Sequence, residues 1–83
     1  MLKRLSLYFK PYQLSDRYLT TILQLNNLHP LDEYDKEIHR IPMLNCILQV
    51  FTELAENDET GYSKQQIEYY KNLIVTLKTK ENT

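Results

Sequence analysis

Residues 42–55 read PMLNCILQVFTELA, and this stretch decides the fold. Its apolar side chains recur at helical spacing and cover a surface wide enough to be contacted from two sides. They are Met43, Leu44, Ile47, Leu48, Val50, Phe51, Leu54 and Ala55. We therefore predict a central helix over residues 43–55. Pro42 either opens this helix in its first turn or kinks a continuous longer one, and we favour the new helix.

Three further segments on either side of this stretch have a helical apolar stripe. Ser15 is a good N-cap for the first of them, and Ser63 with Gln66 forms a capping box at the start of the last. In the middle segment Leu31, Tyr34, Ile38 and Ile41 fall on one helix face. The predicted helices cover residues 15–27, 31–40 and 64–78. We expect the core to bury together Ile47, Phe51, Ile67, Tyr70 and Ile74.

The N-terminal residues 2–9 fit two structures, because their apolar residues alternate as in a strand and also suit a helix. No second strand is evident, so we predict a short extra helix here. One glycine in 83 residues leaves few hairpin turns. The predicted fold is all-α, an antiparallel four-helix bundle in a single domain over residues 1–83, with its core in 14–78 and a frayed tail at 79–83.

Composition and charge exclude several classes of function. Ten Lys and Arg against eleven Asp and Glu give a net charge of -1, so no global basic field attracts nucleic acid. The single Cys46 cannot form a disulfide within the chain or a zinc site by itself, which favours a reducing cytoplasm. The apolar run 5–9 is too short for a signal peptide or a membrane span. The expected location is cytoplasmic, with any membrane role peripheral at the inner face.

Two groups of residues could carry chemistry, and neither has suitable spacing. His29, Asp32, Asp35 and His39 offer metal-ligand types, but His29 precedes a proline and the two aspartates lie off the apolar stripe. His39 and Cys46 could be a base and a nucleophile, but no third group is placed to orient them. We expect no catalytic residue, no bound metal and no cofactor.

The last helix contains the predicted partner-binding residues. Lys64, Lys71 and Lys78 are spaced seven apart and therefore nearly aligned along the helix, and Lys80 adds to the charge. Such a row is either a solvated face or a docking surface for an acidic partner or an anionic membrane surface. Tyr69 points away from the core stripe, where it either closes the edge of the bundle or anchors a partner.

The segment 41–77 also resembles a known family. The matching features are PMLN at 42–45, Phe51, YSKQQ at 62–66 and KNL at 71–73. Their order and spacing are similar to those of the enterocin A-type immunity proteins of class IIa bacteriocins. The resemblance implies a cytoplasmic, non-catalytic four-helix protein that blocks the pore opened by a bacteriocin. Its implied partner is the membrane permease complex of the mannose phosphotransferase system with bound bacteriocin, met from the cytoplasmic side, without nucleic acid or a small-molecule substrate.

Two other function classes remain open on the sequence. One part of the sequence resembles a helix-turn-helix motif, namely Leu54 and Ala55 followed by Gly61, Ser63 and Ile67. Its connecting loop is longer than usual for the motif and is acidic. A DNA-binding regulator is thus one alternative. A helical inhibitor or adaptor of phage or plasmid type is the other.

Overall fold

The computed structural model describes residues 1–57 and 59–81. They form four α-helices, α1 (Leu2–Leu7), α2 (Asp16–Leu25), α3 (Lys36–Ala55) and α4 (Tyr62–Glu81), with a short 3-10 helix at Lys10–Tyr12. No strand occurs in these two ranges. The all-α prediction is therefore confirmed, and residues 2–7 are helical rather than extended.

The prediction of separate helices at 31–40 and 43–55 is wrong, because α3 is one helix of 20 residues with Pro42 inside it. Residues 31–35 are not helical. Pro42 removes the backbone donor that would bond to the carbonyl of Ile38. Ile38 is 67% exposed, so water can donate a hydrogen bond to its carbonyl in place of the missing N–H. The helix therefore continues past the proline.

The true start of α3 is set by Asp35. Its backbone is extended, and its carboxylate accepts a hydrogen bond from the Glu37 N–H at 2.9 Å. The Asp35 N–H in turn donates to Nδ1 of His39, also at 2.9 Å. These reciprocal bonds satisfy two backbone donors at the helix start, as a capping box does. Leu31, predicted on an inward helix face, is instead 85% exposed.

Both ends of α2 are capped by its own sequence. The Ser15 hydroxyl accepts from the Tyr18 N–H at 3.1 Å, which is the predicted N-cap. At the other end Asn27 has a left-handed backbone with φ 61°, and the Leu28 N–H reaches the Leu23 carbonyl at 2.9 Å. This is a Schellman ending, with the buried Leu28 as its apolar contact.

The N-terminal helix α1 is part of the core. Leu5 and Phe9, at its middle and just past its end, are buried. The Leu2 N–H donates to the Pro30 carbonyl at 3.1 Å, which ties α1 to the segment that leads into α3. Because α1 packs on both α2 and α3, these three helices share one apolar interior.

The last helix, α4, is longer than predicted at both ends. It begins at Tyr62, so Ser63 lies inside the first turn, buried, and is not the N-cap. It continues through residues 79–81, which the sequence suggested would fray, whereas residues 82 and 83 lie outside the described residues. The helix packs antiparallel on α3, because Tyr62 contacts Phe51 near the end of α3 whereas Leu77 shares a cleft with Ile41 near its start.

Phe51 is the centre of the core. Its ring centroid lies 4.9 Å from that of Phe9 and 6.0 Å from that of Tyr70, which stacks on it. Ile47 and Ile74 are buried beside it, as predicted. Two other members of the predicted core, Ile67 and Tyr70, are half-buried and pack against this cluster.

Candidate functional site

Three of the predicted lysines lie along one exposed side of α4. Lys64, Lys71 and Lys78 are all exposed. Because seven residues are nearly two helical turns, successive lysines lie only about 20° apart around the helix axis. Between the last two lies Val75, an apolar side chain that is 63% exposed. The buried Ile74 lies about 100° from Val75 around the helix but only about 60° from Lys71 and about 40° from Lys78, so the lysines border the inward side of α4 and Val75 projects farthest from it. We call Lys64, Lys71, Val75 and Lys78 the lysine face.

Val75 was not among the residues predicted from the sequence. The signal was present, because it is an apolar residue that lies off the inward stripe of Ile67, Ile74 and Leu77. Glu68 lies near the same line and is exposed. The lysine face and Glu68 together carry three positive charges and one negative charge, which leaves a local charge of +2.

The other two predicted residues, Lys80 and Tyr69, lie on a different side of α4. Lys80 follows Lys78 by two residues, a turn of about 200°. It lines a cleft of about 670 Å³ together with Leu77 and the first half of α3. Tyr69 precedes Lys80 by eleven residues and so lies within about 20° of it around the helix. The five predicted residues therefore belong to two surfaces rather than one.

A second cavity, of about 290 Å³, adjoins this cleft, and Lys36 and Arg40 line both. We call it the tyrosine pocket. Its lining includes four tyrosines and three cations, which are Tyr8, Tyr34, Tyr69, Tyr70, Arg4, Lys36 and Arg40. Among the residues that the structure describes, no carboxylate lines it. The sequence did not predict this pocket, because α1, the segment before α3, α3 and α4 each contribute part of it.

The aromatic rings of the pocket are held by specific contacts. The Arg4 guanidinium carbon lies 3.7 Å from the centroid of the Tyr34 ring, a cation–π contact. Tyr69 meets Tyr70 edge to face, with ring centroids 5.0 Å apart. Burial, and then the neighbouring phenols led by Tyr8, raise the pKa of Tyr70 above its ordinary value of 10.0. Tyr70 therefore stays a neutral hydroxyl donor at physiological pH.

The residues considered for metal binding and nucleophilic catalysis have structural contacts. His29 Nδ1 accepts the backbone N–H two residues on, and His39 Nδ1 caps α3 through Asp35. The Cys46 thiol is buried and contacts the Ile22 carbonyl with its sulfur at 3.8 Å. Burial raises the pKa of Cys46 to about 11, so it is not a thiolate at neutral pH. Within residues 1–57 and 59–81 no three His, Cys, Asp or Glu side chains are grouped to hold a metal ion.

Comparisons of the chain with protein-family models, with curated proteins and with solved structures found no match. In the part of the chain that the structure describes, none of the helices has the length and apolar character needed to cross a membrane. Function must therefore be inferred from the lysine face and the tyrosine pocket themselves.

Proposed function

We propose that the protein is a non-catalytic bacteriocin immunity protein that binds its partner through the lysine face. The observation that carries the proposal is the exposed Val75 beside the exposed Lys71 and Lys78 on α4. An exposed apolar side chain with polar or charged side chains at its rim is an arrangement found in protein interfaces. The resemblance of residues 41–77 to the enterocin A-type immunity proteins supplies the biological role.

The charge of the lysine face selects the chemistry of the partner. A local charge of +2 on a chain of net charge -1 favours an acidic surface. In this proposal the surface belongs to the mannose phosphotransferase permease with bound bacteriocin, and the protein reaches it from the cytoplasm at the inner face of the membrane. The four helices would act as one antiparallel bundle, in which α4 packs on α3 and keeps the lysine face exposed.

The proposal is tested by producing the protein in cells that are sensitive to class IIa bacteriocins. We expect resistance to one or a few of these peptides. Replacing Lys71 and Lys78 together by Ser should weaken resistance, and Val75→Ser should do the same, because each removes part of the interface without touching the core. Circular dichroism should show the same helix content in all of these proteins.

The matched control is the pair Lys3→Ser and Lys10→Ser, which removes the same charge from exposed positions near the N-terminus. It should leave resistance unchanged. Full sensitivity of the producing cells to a broad panel of class IIa peptides would contradict the immunity role. Equal losses in the two double variants would contradict the lysine face as its surface.

The arrangement of α3 and α4 does not favour the DNA-binding alternative. The two helices lie side by side, from Phe51 with Tyr62 to Ile41 with Leu77, whereas the helices of a helix-turn-helix cross at about 90–120°. Glu59, exposed in the connecting loop, would face the phosphates, and its acidic neighbour Asp58 lies outside the described residues. Binding of the purified protein to a DNA fragment from upstream of its own gene, seen as a gel shift that weakens steeply with added salt, would support the regulator instead.

A helical inhibitor or adaptor would use the same lysine face on a different acidic protein. The two roles separate in the sensitivity assay, because only an immunity protein protects cells against the bacteriocin.

A further inference from the structure

The tyrosine pocket has no part in the proposed immunity interface, and its charge is unlike that of the chain as a whole. Eleven acidic residues outnumber ten basic ones in the sequence, yet among the described residues the pocket is lined by Arg4, Lys36 and Arg40 and by no carboxylate. Within residues 1–57 and 59–81, none of these three cations forms an ion pair. Like charges gathered without a counter-charge create a local field that attracts an anion.

Arg4 is oriented to bind an anion in the pocket. Its guanidinium lies over the Tyr34 ring at 3.7 Å, which restrains the side chain by a contact on its flat side. The N–H donors of a guanidinium lie around its edge, in the geometry that binds a phosphate through two hydrogen bonds. Arg4 can therefore keep its stacking contact while it donates to an anion in the pocket.

The pocket also offers a surface for a flat ring. Tyr69 is 58% exposed, and its edge-to-face contact with Tyr70 holds it at the rim of the pocket. Tyr8, on the α1 side, is 40% exposed. The buried Met43 and the largely buried Leu44 add an apolar wall. An exposed, restrained aromatic ring is a platform on which a nucleobase stacks.

Size limits the ligand. Small-molecule sites have volumes of about 300–1,000 Å³, and the pocket, at about 290 Å³, lies just below this range. A volume of this size suits one small ligand with a single anionic group, such as a mononucleotide whose base stacks at the rim, rather than a folded partner or a nucleic-acid duplex.

We propose that the tyrosine pocket binds a nucleoside monophosphate, whose phosphate contacts Arg4, Lys36 and Arg40 while its base stacks on Tyr69. Both halves of such a ligand match a group in the pocket, the phosphate through charge and the base through the aromatic ring. The site is independent of the lysine face, and its occupancy does not require the immunity role.

The test is a titration of the full chain with adenosine 5′-monophosphate, followed by NMR of its ¹⁵N-labelled backbone. We expect saturable shifts centred on residues that line the pocket, such as Tyr69, Arg40 and Leu44. Ribose 5-phosphate lacks the base and adenosine lacks the phosphate. Each should bind at least about tenfold more weakly, because each loses one of the two recognition elements.

Variants locate the site. Arg40→Gln and Tyr69→Leu should each weaken binding of adenosine 5′-monophosphate about five- to tenfold. Lys71→Gln removes the same charge from the lysine face and should leave binding unchanged. Circular dichroism confirms that each variant keeps its helix content.

Three results would overturn the proposal. The first is the absence of saturable shifts at about 10 mM ligand, which excludes a useful affinity. The second is equal weakening by Arg40→Gln and Lys71→Gln, which would indicate unspecific attraction to charge. The third is binding of ribose 5-phosphate, or of a phosphotyrosine peptide, at least as tight as that of adenosine 5′-monophosphate.

Discussion

Phe51 is the single residue on which the packing depends most. It is 2% exposed, and the rings of Phe9, Tyr12, Tyr62 and Tyr70 all lie around it. Phe51→Ala would leave a cavity between α3, α4 and the N-terminal segment. We expect the free energy of unfolding, measured by urea denaturation, to fall by about 3–5 kcal/mol.

The control for Phe51 is Val75→Ala, which also shortens an apolar side chain but at an exposed position. It should change the free energy of unfolding by less than about 0.5 kcal/mol. A loss below about 1 kcal/mol for Phe51→Ala would mean that the surrounding rings close over the gap.

The buried Cys46 thiol should make the free energy of unfolding fall at alkaline pH. Burial raises its pKa in the folded chain from 9.0 to about 11. Between these values the unfolded chain has lost the thiol proton while the folded chain keeps it, so raising the pH favours unfolding. The free energy of unfolding should therefore be unaffected by this thiol below about pH 9 and fall as the pH rises towards 11.

The Cys46→Ala variant isolates this effect, because the raised pKa of Tyr70 acts in the same alkaline range in both proteins. Urea denaturation at about pH 8 and about pH 10.5 should show a smaller decline for the variant. Parallel declines in the two proteins would contradict a protonated buried thiol.

At the scale of the helices, local signals predicted α2 well and misplaced the start of α3. Ser15 is an N-cap in the sequence and in the structure, because its hydroxyl reaches a backbone N–H three residues away. Pro42 is an equally strong local signal, but it is compatible with both a helix start and a helix interior. Asp35 and His39 decide between the two by capping the chain seven residues earlier than Pro42. That pairing was not recognised in the sequence.

The capping role of Asp35 makes a prediction for α3 as an element. Asp35→Ala removes the acceptor of the Glu37 N–H, so the first turn of α3 should fray and the free energy of unfolding should fall by about 0.5–2 kcal/mol. Hydrogen exchange should become faster at the first residues of α3. Asp32→Ala is the matched control, because only the backbone carbonyl of Asp32 takes part in the contact with Met1. Equal losses in the two variants would contradict the cap.

At the scale of the whole molecule, the sequence predicted the alignment of Lys64, Lys71 and Lys78, because seven residues are close to two helical turns. It grouped Lys80 and Tyr69 with them, since charge and aromatic character alone do not show which side of a helix faces a neighbour. The partners of these two residues, Lys36 and Arg4 among them, come from distant parts of the chain. Tertiary packing alone brings them together.

The separation of the lysine face from the tyrosine pocket predicts that their functions can be lost independently. The two surfaces lie on different sides of α4, and the buried Ile74 and half-buried Leu73 and Leu77 anchor that helix to the core between them. Substitutions at such separate sites act additively. Replacing Lys71 and Lys78 by Ser should therefore weaken bacteriocin resistance and leave binding of adenosine 5′-monophosphate unchanged. Arg40→Gln should do the reverse. Resistance is measured in the producing cells, and binding is measured on the chain purified from them. Loss of both properties in either variant would show that α4 transmits an effect from one surface to the other.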